Sequence, residues 1–453
     1  MKNKKLTKKI GARILSEAND LKRTVSTMAK EVQLDQEKMK LIINGECELE
    51  ESYDLIRKMG KKYSIDISDL FLIESDCENS VKIMRSAETI DSGRIYSRLN
   101  QHQIKSPYYE YRDTAMSVVS PFKPEWIKQL RIVEDADPLN PDVIYNNGHF
   151  LHQTTFFVGP VNFYYEINGE KFCKKMNTGD SNYITPYWPH SFTSRDRSQD
   201  AFIVAITFGS DVRRAQKELY EIGSKSKNYV LDIRNNNKAI INLIKQHMMN
   251  EHMHINHLRK IAYDKAISID LDQIMSGDKD ILEDDLKKLA LLLNVELTDL
   301  LISVYKPDEE VVIYKTQEKN KYFFPDSDKP TYKIETLARA VKMPLMKSFS
   351  FDIITTKINK NLNSSLHTYI YNYGEHDVLI SWEVDGKDYN DTIKKNDSLY
   401  MQPFVKHGFS CKNGDGKLFI VRVSGSVNIT TQKEMSYFAN IDRFFNETKC
   451  WFN

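Results

Sequence analysis

FYYEINGEKFCKKMNTGDSNYITPYWPHSF (163–192) aligns without a gap to ISWEVDGKDYNDTIKKNDSLYMQPFVKHGF (380–409), at a constant offset of 217. The match pairs Glu166 with Glu383, Gly169 with Gly386, Asp180 with Asp397, Pro186 with Pro403 and His190 with His407. Both stretches alternate apolar and polar residues around an Asn-Gly or Asp-Gly step, the pattern of antiparallel hairpins closed by tight turns. A repeat of this length means that the chain builds the same β unit twice.

A second repeat precedes each β unit. INGECELEESYDLIRKMGKKYSIDISDLF (43–71) reads as two short amphipathic helices, and MSGDKDILEDDLKKLALLLNVELTDLL (275–301) follows the same grammar. Each has a small residue and Gly (Asn44-Gly45; Ser276-Gly277), then an apolar helix, then an Asp-Leu close (Asp69-Leu70; Asp299-Leu300). Upstream, TVSTMAKEVQLDQEKMKLII offers Thr24 as an N-cap and apolar residues at helical spacing. These segments predict small helix-turn-helix bundles. In the β units, an acidic turn, a strand and Pro-x-x-x-His fit a cupin, a small jelly-roll β-barrel. The expected fold class is α+β, a tandem repeat of helix-turn-helix bundle plus cupin. The expected division is a first bundle over 1–75, a catalytic cupin over 85–215, a connecting helix and second bundle over 216–305, a degenerate cupin over 310–430 and a tail over 431–453.

Composition narrows the function. With 64 Lys+Arg against 63 Asp+Glu, the net charge of +1 gives no general attraction to nucleic acid or to an anionic membrane. Five scattered cysteines without CxxC spacing argue for a reducing compartment and against a thiolate metal site. The basic start MKNKKLTKKIGARIL lacks an apolar core of signal-peptide length, and no run of 18 apolar residues follows. A soluble, cytoplasmic protein with no nucleic-acid and no membrane partner is expected.

Histidine is scarce, 11 in all, yet His149 and His152 of NNGHFLHQTTF (146–156) and His190 fall in one β unit. Imidazole and oxygen donors with open coordination positions suit iron(II) and oxygen chemistry. The offset of 217 supplies a control: it carries His149 onto Leu366, His152 onto Tyr369 and Gln153 onto Ile370, and only His190 keeps a histidine partner. The second unit is therefore expected to be structural, with His367 and His376 as the one conceivable shifted pair. Spacing does not settle which residues bind metal. Positions i and i+4 of a straight strand lie roughly 13 Å apart at ~3.3 Å per residue, so His149 and Gln153 can share an ion only if the chain bends, and Asn146-Asn147-Gly148 is a turn signal.

The ordered set RTVSTMAKEV, YYEYRDTA (108–115), NNGHFLHQTTFFVGP (146–160), GDSNYITPYWPHSF (179–192) and QPFVKHGF (402–409) resembles the hydroxyethylphosphonate dioxygenase and methylphosphonate synthase family over nearly the whole chain. The resemblance implies Fe(II) as cofactor, no 2-oxoglutarate, and cleavage of the carbon–carbon bond of a small-molecule phosphonate, 2-hydroxyethylphosphonate, with O2. The dioxygenase branch has a ligand glutamate six residues before the second histidine, where this chain has Ile184. The synthase branch has a ligand glutamine four residues after the first histidine, where this chain has Gln153. The resemblance therefore implies His149, Gln153 and His190 as metal ligands, His152 as a bystander or supporting residue, and methylphosphonate with CO2 or bicarbonate as products. It further implies substrate binding by Asn146, Tyr111, Lys22 and Arg98, with Lys105 a weaker candidate than Arg98. Gln153 and Lys22 take catalytic roles, and Lys22 reaches into a site from a neighbouring domain or subunit, so a homo-oligomer is expected.

Two other classes compete. A helix-turn-helix joined to a ligand-binding cupin is also a transcription-regulator layout, but the second candidate recognition segment, SIDLDQIMSGDKD (268–280), is acid-rich and would repel phosphates. A redox-inactive bicupin is the third class. Within the family, the dioxygenase products hydroxymethylphosphonate and formate are the alternative.

Overall fold

Capping and apolar stripes define the helical start of the chain. The structure is a computed structural model that describes residues 2–209, 211–449 and 451. The first helices are α1 (Lys2–Asp20), α2 (Val25–Glu31), α3 (Gln36–Ile43) and α4 (Leu49–Lys62). Thr24 caps α2, its hydroxyl accepting from the Thr27 amide at 3.1 Å. Segment 43–71 forms one fourteen-residue helix and a short 3-10 turn at Ile67–Asp69 rather than two helices. Ser52, Leu55, Ile56 and Met59 make one unbroken buried stripe, so nothing stops α4 before Lys62. Gly45 has φ +70°, and a Cβ there would lie 2.5 Å from the backbone of Lys8 in α1. Later come α5 (Ser86–Asp91), α6 (Asp211–Ile222) and a second bundle of α7 (Asn236–Asn250), α8 (Ile255–Asp264), α9 (Leu271–Ser276) and α10 (Glu283–Leu293), then α11 (Ile429–Ser436) and α12 (Ile441–Phe445). Among the described residues no helix is long and apolar enough to cross a membrane.

Ten strands lie in the first half: β1 (Val81–Met84), β2 (Arg94–Leu99), β3 (Lys105–Asp113), β4 (Pro124–Gln129), β5 (His152–Val158), β6 (Val161–Ile167), β7 (Glu170–Met176), β8 (Ser181–Ile184), β9 (His190–Ser194) and β10 (Phe202–Phe208). Ten follow in the second: β11 (Val311–Tyr314), β12 (Tyr322–Phe324), β13 (Tyr332–Thr336), β14 (Met346–Ile353), β15 (His367–Asn372), β16 (Val378–Val384), β17 (Lys387–Ile393), β18 (Ser398–Met401), β19 (Lys406–Ser410) and β20 (Gly416–Val423). They form mixed α+β architecture with antiparallel sheets. One seven-stranded sheet runs β11-β8-β5-β10-β4-β3-β2 beside a three-stranded β7-β6-β9, and the other runs β1-β18-β15-β20-β14-β13-β12 beside β17-β16-β19. The Asn168-Gly169 and Asp385-Gly386 steps have positive φ at both residues, the backbone of the tight hairpin turn that these pairs favour.

One edge strand of each large sheet comes from the other half of the chain. β11 pairs with β8 of the first sheet, and β1 pairs with β18 of the second. The repeated acidic turns hold these exchanged strands. Asp180 accepts from the Thr316 amide at 3.0 Å and from Lys315 at 2.7 Å, just after β11. Asp397 accepts from the Ser86 amide at 2.8 Å and from Arg85 at 3.1 Å, just after β1. Both carboxylates are buried, and their hydrogen bonds compensate the lost hydration. Val311 and Ile313 pack on the core of the first unit, and Val81 and Ile83 belong to that of the second.

Strand alternation divides the apolar residues between two places. Phe157, Phe163, Ile184 and Phe192 fill the first unit, whereas Phe156, Tyr183, Val204 and Phe208 face Tyr369, Tyr400, Phe419 and Val421 of the second. Phe156 stacks on Phe419 with centroids 4.4 Å apart.

The offset of 217 holds from β6 through β9 but not on β5 or on β10, which pairs with it. Gln153 stands opposite Ile184, and Thr368 stands opposite Met401, the offset partner of Ile184. The structural partner of Gln153 is thus Thr368 rather than Ile370, and that of His152 is His367 rather than Tyr369. The second chain segment is two residues longer between these strands, which a gapless alignment cannot follow.

Asp397→Ala should lower the unfolding free energy by about 3 kcal/mol, because it strands the Ser86 and Lys394 amides, while Arg85 keeps Asp391 and the Thr392 carbonyl. Chemical denaturation measures this, and amide exchange should accelerate first across Val81–Met84.

Candidate metal centre

A tight turn solves the spacing problem between His149 and Gln153. His149 lies outside β5, in a segment folded back by Gly148 at φ +70°, where a Cβ would sit 2.3 Å from the Tyr187 carbonyl carbon. The Tyr187 amide donates to the His149 carbonyl at 2.9 Å. As a result His149 Nε2 is 3.0 Å from Gln153 Oε1. His190, at the start of β9, brings its ring to 5.0 Å from that of His149, centroid to centroid, with the planes 86° apart.

The hydrogen bonds fix what each atom presents. His149 Nδ1 donates to the Leu151 carbonyl at 2.6 Å, and His190 Nδ1 donates to the Trp188 carbonyl at 2.9 Å. Carbonyls only accept, so both Nε2 atoms carry lone pairs when the rings are neutral. Burial pushes the His190 imidazole down to about 4, and the nearby His149 adds to this, so the ring is neutral at neutral pH. Gln153 Nε2 donates to Thr155 Oγ1 at 2.9 Å, which turns Oε1 toward His149. Two imidazole lone pairs and an amide oxygen therefore converge, an arrangement that a cation satisfies. Among the described residues no three His, Cys, Asp or Glu side chains form such a group, because the third donor here is an amide.

These side chains line a cavity of about 130 Å³ together with Arg98, Tyr111, Asn146, Glu125, Tyr109, Thr207 and an apolar wall of Ile127, Phe192, Ile203 and Ala205. Asn146 Nδ2 donates to His190 Nε2 at 3.0 Å, while its Oδ1 accepts from the Gly148 and His190 amides. The Arg98 guanidinium lies 4.9 Å from the centroids of both Tyr108 and Tyr109 and donates to the Ile144 carbonyl at 2.6 Å. Burial raises the Tyr111 phenol, keeping it a proton donor. Ile184 is fully buried directly across the sheet from Gln153. His152 turns away, its Nδ1 2.8 Å from the Tyr183 hydroxyl.

Lys22 and Lys105 do not line this cavity. The Lys22 ammonium lies 4.5 Å from the Trp451 ring centroid, and Trp451 is tied to α1 through Asn19. Trp451 and Phe444, the latter 6.0 Å from the Arg13 guanidinium, thus lie against the first bundle. In the second unit, His367 pairs with Tyr400 at 2.8 Å as His152 does with Tyr183, and exposed His376 faces Asn413, so they form no shifted pair.

Sequence reading missed two carboxylates. Glu125 enters the cavity from β4, where strand parity alone could have placed it. Burial raises its carboxyl; Arg94 opposes this and Asp113 adds to it. Glu310 carried no local signal, since it lies in the second half of the chain just before β11. It accepts from the Thr185 hydroxyl and from Trp188 Nε1 at 2.9 Å, and its carbonyl accepts from the Thr185 amide at 3.0 Å. Burial would raise its carboxyl, but the Thr185 and Trp188 hydrogen bonds and the Lys342 charge hold it below the ordinary value. Glu310 thereby anchors the strap 185–188 that carries the carbonyl acceptor of His190 and the amide donor to His149.

No family model matches the chain. It is 36% identical to methylphosphonate synthase of Nitrosopumilus maritimus (strain SCM1), over 98% of this chain and 95% of that protein. The chain belongs to the methylphosphonate synthase family. A Streptomyces albus 2-hydroxyethylphosphonate dioxygenase, solved with 2-hydroxyethylphosphonate and Fe(II) bound, superposes with a TM-score of 0.87 at 29% identity, covering 98% of this chain and 99% of that one. A mutant hydroxyethylphosphonate dioxygenase shares the fold, with a TM-score of 0.73 at 15% identity over 97% of this chain and 98% of its own.

For this member of the methylphosphonate synthase family, Glu310→Ala should weaken Fe(II) binding about 10–100-fold with the secondary structure intact, and Glu310→Gln, which keeps an acceptor, should restore most of it. Direct metal titration reads both. Glu125 gives a pH effect. As pH rises through its elevated pKa, a negative charge appears between Arg94, Asp113 and Tyr111. The affinity for methylphosphonate should then fall more steeply with pH in the parent than in Glu125→Gln, measured by equilibrium titration.

Proposed function

We propose that this chain is an iron(II)-dependent oxygenase that cleaves the carbon–carbon bond of 2-hydroxyethylphosphonate with O2, yielding methylphosphonate and CO2 or bicarbonate without 2-oxoglutarate. The carrying observation is the pairing of Gln153 with Ile184 on adjacent strands. Cross-strand neighbours share a face of the sheet, so a carboxylate at 184 and an amide at 153 would compete for one coordination position. This chain has the amide, with an apolar side chain opposite it. A neutral amide oxygen leaves one more unit of positive charge at the metal than a carboxylate does.

In this reading His149, Gln153 and His190 hold Fe(II), which when bound supplies the activation of O2. Residues of the chain do the rest. The Leu151 and Trp188 carbonyls fix the two imidazoles. Asn146, Arg98 and Tyr111 surround a phosphonate with donors of the kind such an anion requires. Ile127, Phe192, Ile203 and Ala205 exclude water from the reacting carbon. Lys22 acts catalytically from a second copy, which makes the protein a homo-oligomer, because within its own chain it lies on Trp451. At the level of architecture, each helical bundle is of helix-turn-helix type and each sheet pair is a cupin, divided at 1–75, 85–215, 216–305, 310–430 and 431–453, with β1 and β11 crossing between the two cupins.

The test loads the protein with Fe(II) anaerobically, adds 2-hydroxyethylphosphonate and O2, and follows products by phosphorus NMR. Methylphosphonate should dominate, and Gln153→Glu should move the product toward hydroxymethylphosphonate. Hydroxymethylphosphonate from the parent would overturn the branch, and unchanged substrate would overturn the activity. In the same assay, mixing Lys22→Ala with His190→Ala copies should recover turnover that neither shows alone.

A further inference from the structure

We propose that the second β unit binds a small oxyanion that retains an acidic proton, held between Arg422 and His407. The two residues occupy the positions that line the metal cavity in the first unit. His407 is the counterpart of His190. Arg422 stands opposite Thr368, as Thr207 stands opposite Gln153. The donor set has gone: Thr368 replaces Gln153, and Leu362 replaces Asn146, its amide donating to the His407 carbonyl as that of Asn146 does to His190. What remains is an imidazole with an arginine charge near enough to oppose its protonation.

His407 is buried and Arg422 half-buried, and the shielded polar atoms of both lack partners. Nε and Nη2 of Arg422 and Nε2 of His407 make no hydrogen bond, and His407 is only 1% exposed. Leaving such groups unpaired is costly, and doubly so for a charged one. Among the described residues no carboxylate pairs with Arg422; the groups beside it are the Tyr322 phenol, Lys347 on the neighbouring strand and the Phe349 ring, 5.6 Å away. An anion is therefore the missing complement.

The hydrogen bonds define its chemistry. A guanidinium only donates, so the ligand must offer acceptor oxygens. His407 Nδ1 donates to the Val405 carbonyl at 2.8 Å, so Nε2 accepts. Burial holds this imidazole down to about 4, and the adjacent Arg422 charge opposes its protonation. The ligand must therefore also present an O–H. Hydrogenphosphonate, hydrogenphosphate and bicarbonate share this pattern, and water lacks the charge to balance Arg422. The inference uses the second unit alone and stands apart from the reaction proposed above.

Crystals of the full chain soaked in arsenate test it, because arsenic is located by its anomalous scattering and arsenate carries an O–H at neutral pH. An arsenic site between Arg422 and His407 is expected, at a concentration about tenfold below that needed for selenate, which has the same shape but no O–H there. Arg422→Met should abolish the site. The parent crystals decide the matter even if that variant does not fold. Displacement by bicarbonate, by inorganic phosphate or by methylphosphonate then identifies the source of the natural ligand. A lone water at this position, equal occupancy by selenate and arsenate, or failure of all three competitors would overturn the proposal.

Discussion

The exchange of β1 and β11, each held by a buried aspartate of the opposite unit, is the constraint on which the rest of the molecule depends. Without β11 the strand that carries Ile184 would have a free edge, and Glu310 would not reach the strap 185–188. The anchors are not interchangeable with surface ion pairs, whose contribution is small. Asp180 and Asp397 also satisfy backbone amides at the point where a strand leaves a foreign sheet. The second unit therefore serves the first mechanically, whatever it binds: it supplies Val311, Ile313 and Glu310, and its large sheet covers the outer face of β5 and β10 through contacts such as Phe156 on Phe419.

The same frame with two interiors separates architecture from chemistry. Hairpin turns, acidic turns and the histidine of β9 and β19 recur in both units. Inside, a handful of positions differ: Asn146, Gln153 and Thr207 in one, Leu362, Thr368 and Arg422 in the other. The first set converges lone pairs on one point; the second places fixed positive charge near a single lone pair. Since the strands that carry these side chains are identical in register, the difference lies in side-chain chemistry rather than fold.

Much of this was legible in the residues. The Asn-Gly and Asp-Gly pairs specify hairpin turns because their backbones tolerate positive φ at both positions. Thr24 acts as the cap that its place before an apolar stripe suggests. Asp180 and Asp397 were visible as a repeat, but their purpose was not, since Lys315 and Arg85 lie more than a hundred residues from the carboxylates they meet. The gapless offset failed on the strand before the repeat, because a longer connection shifted its register by two residues and so exchanged the facing residues. Glu310 and Glu125 stayed hidden for related reasons: one arrives by strand exchange, and the other looks like any strand carboxylate until its neighbours are known.

The sequence by itself determined the twofold repeat, the class of secondary structure in each segment, and the residue types from which a nitrogen and oxygen metal site could be built. Local chemistry is sufficient for these, because turns, caps and alternation depend on residues a few positions apart. Only the tertiary structure decided that His149 folds back onto Gln153, that Gln153 faces Ile184, that His152 turns to Tyr183, and that each large sheet is completed by a strand from the other half. Those outcomes depend on contacts between residues distant in the chain, whose geometry is set by register and packing rather than by any local preference.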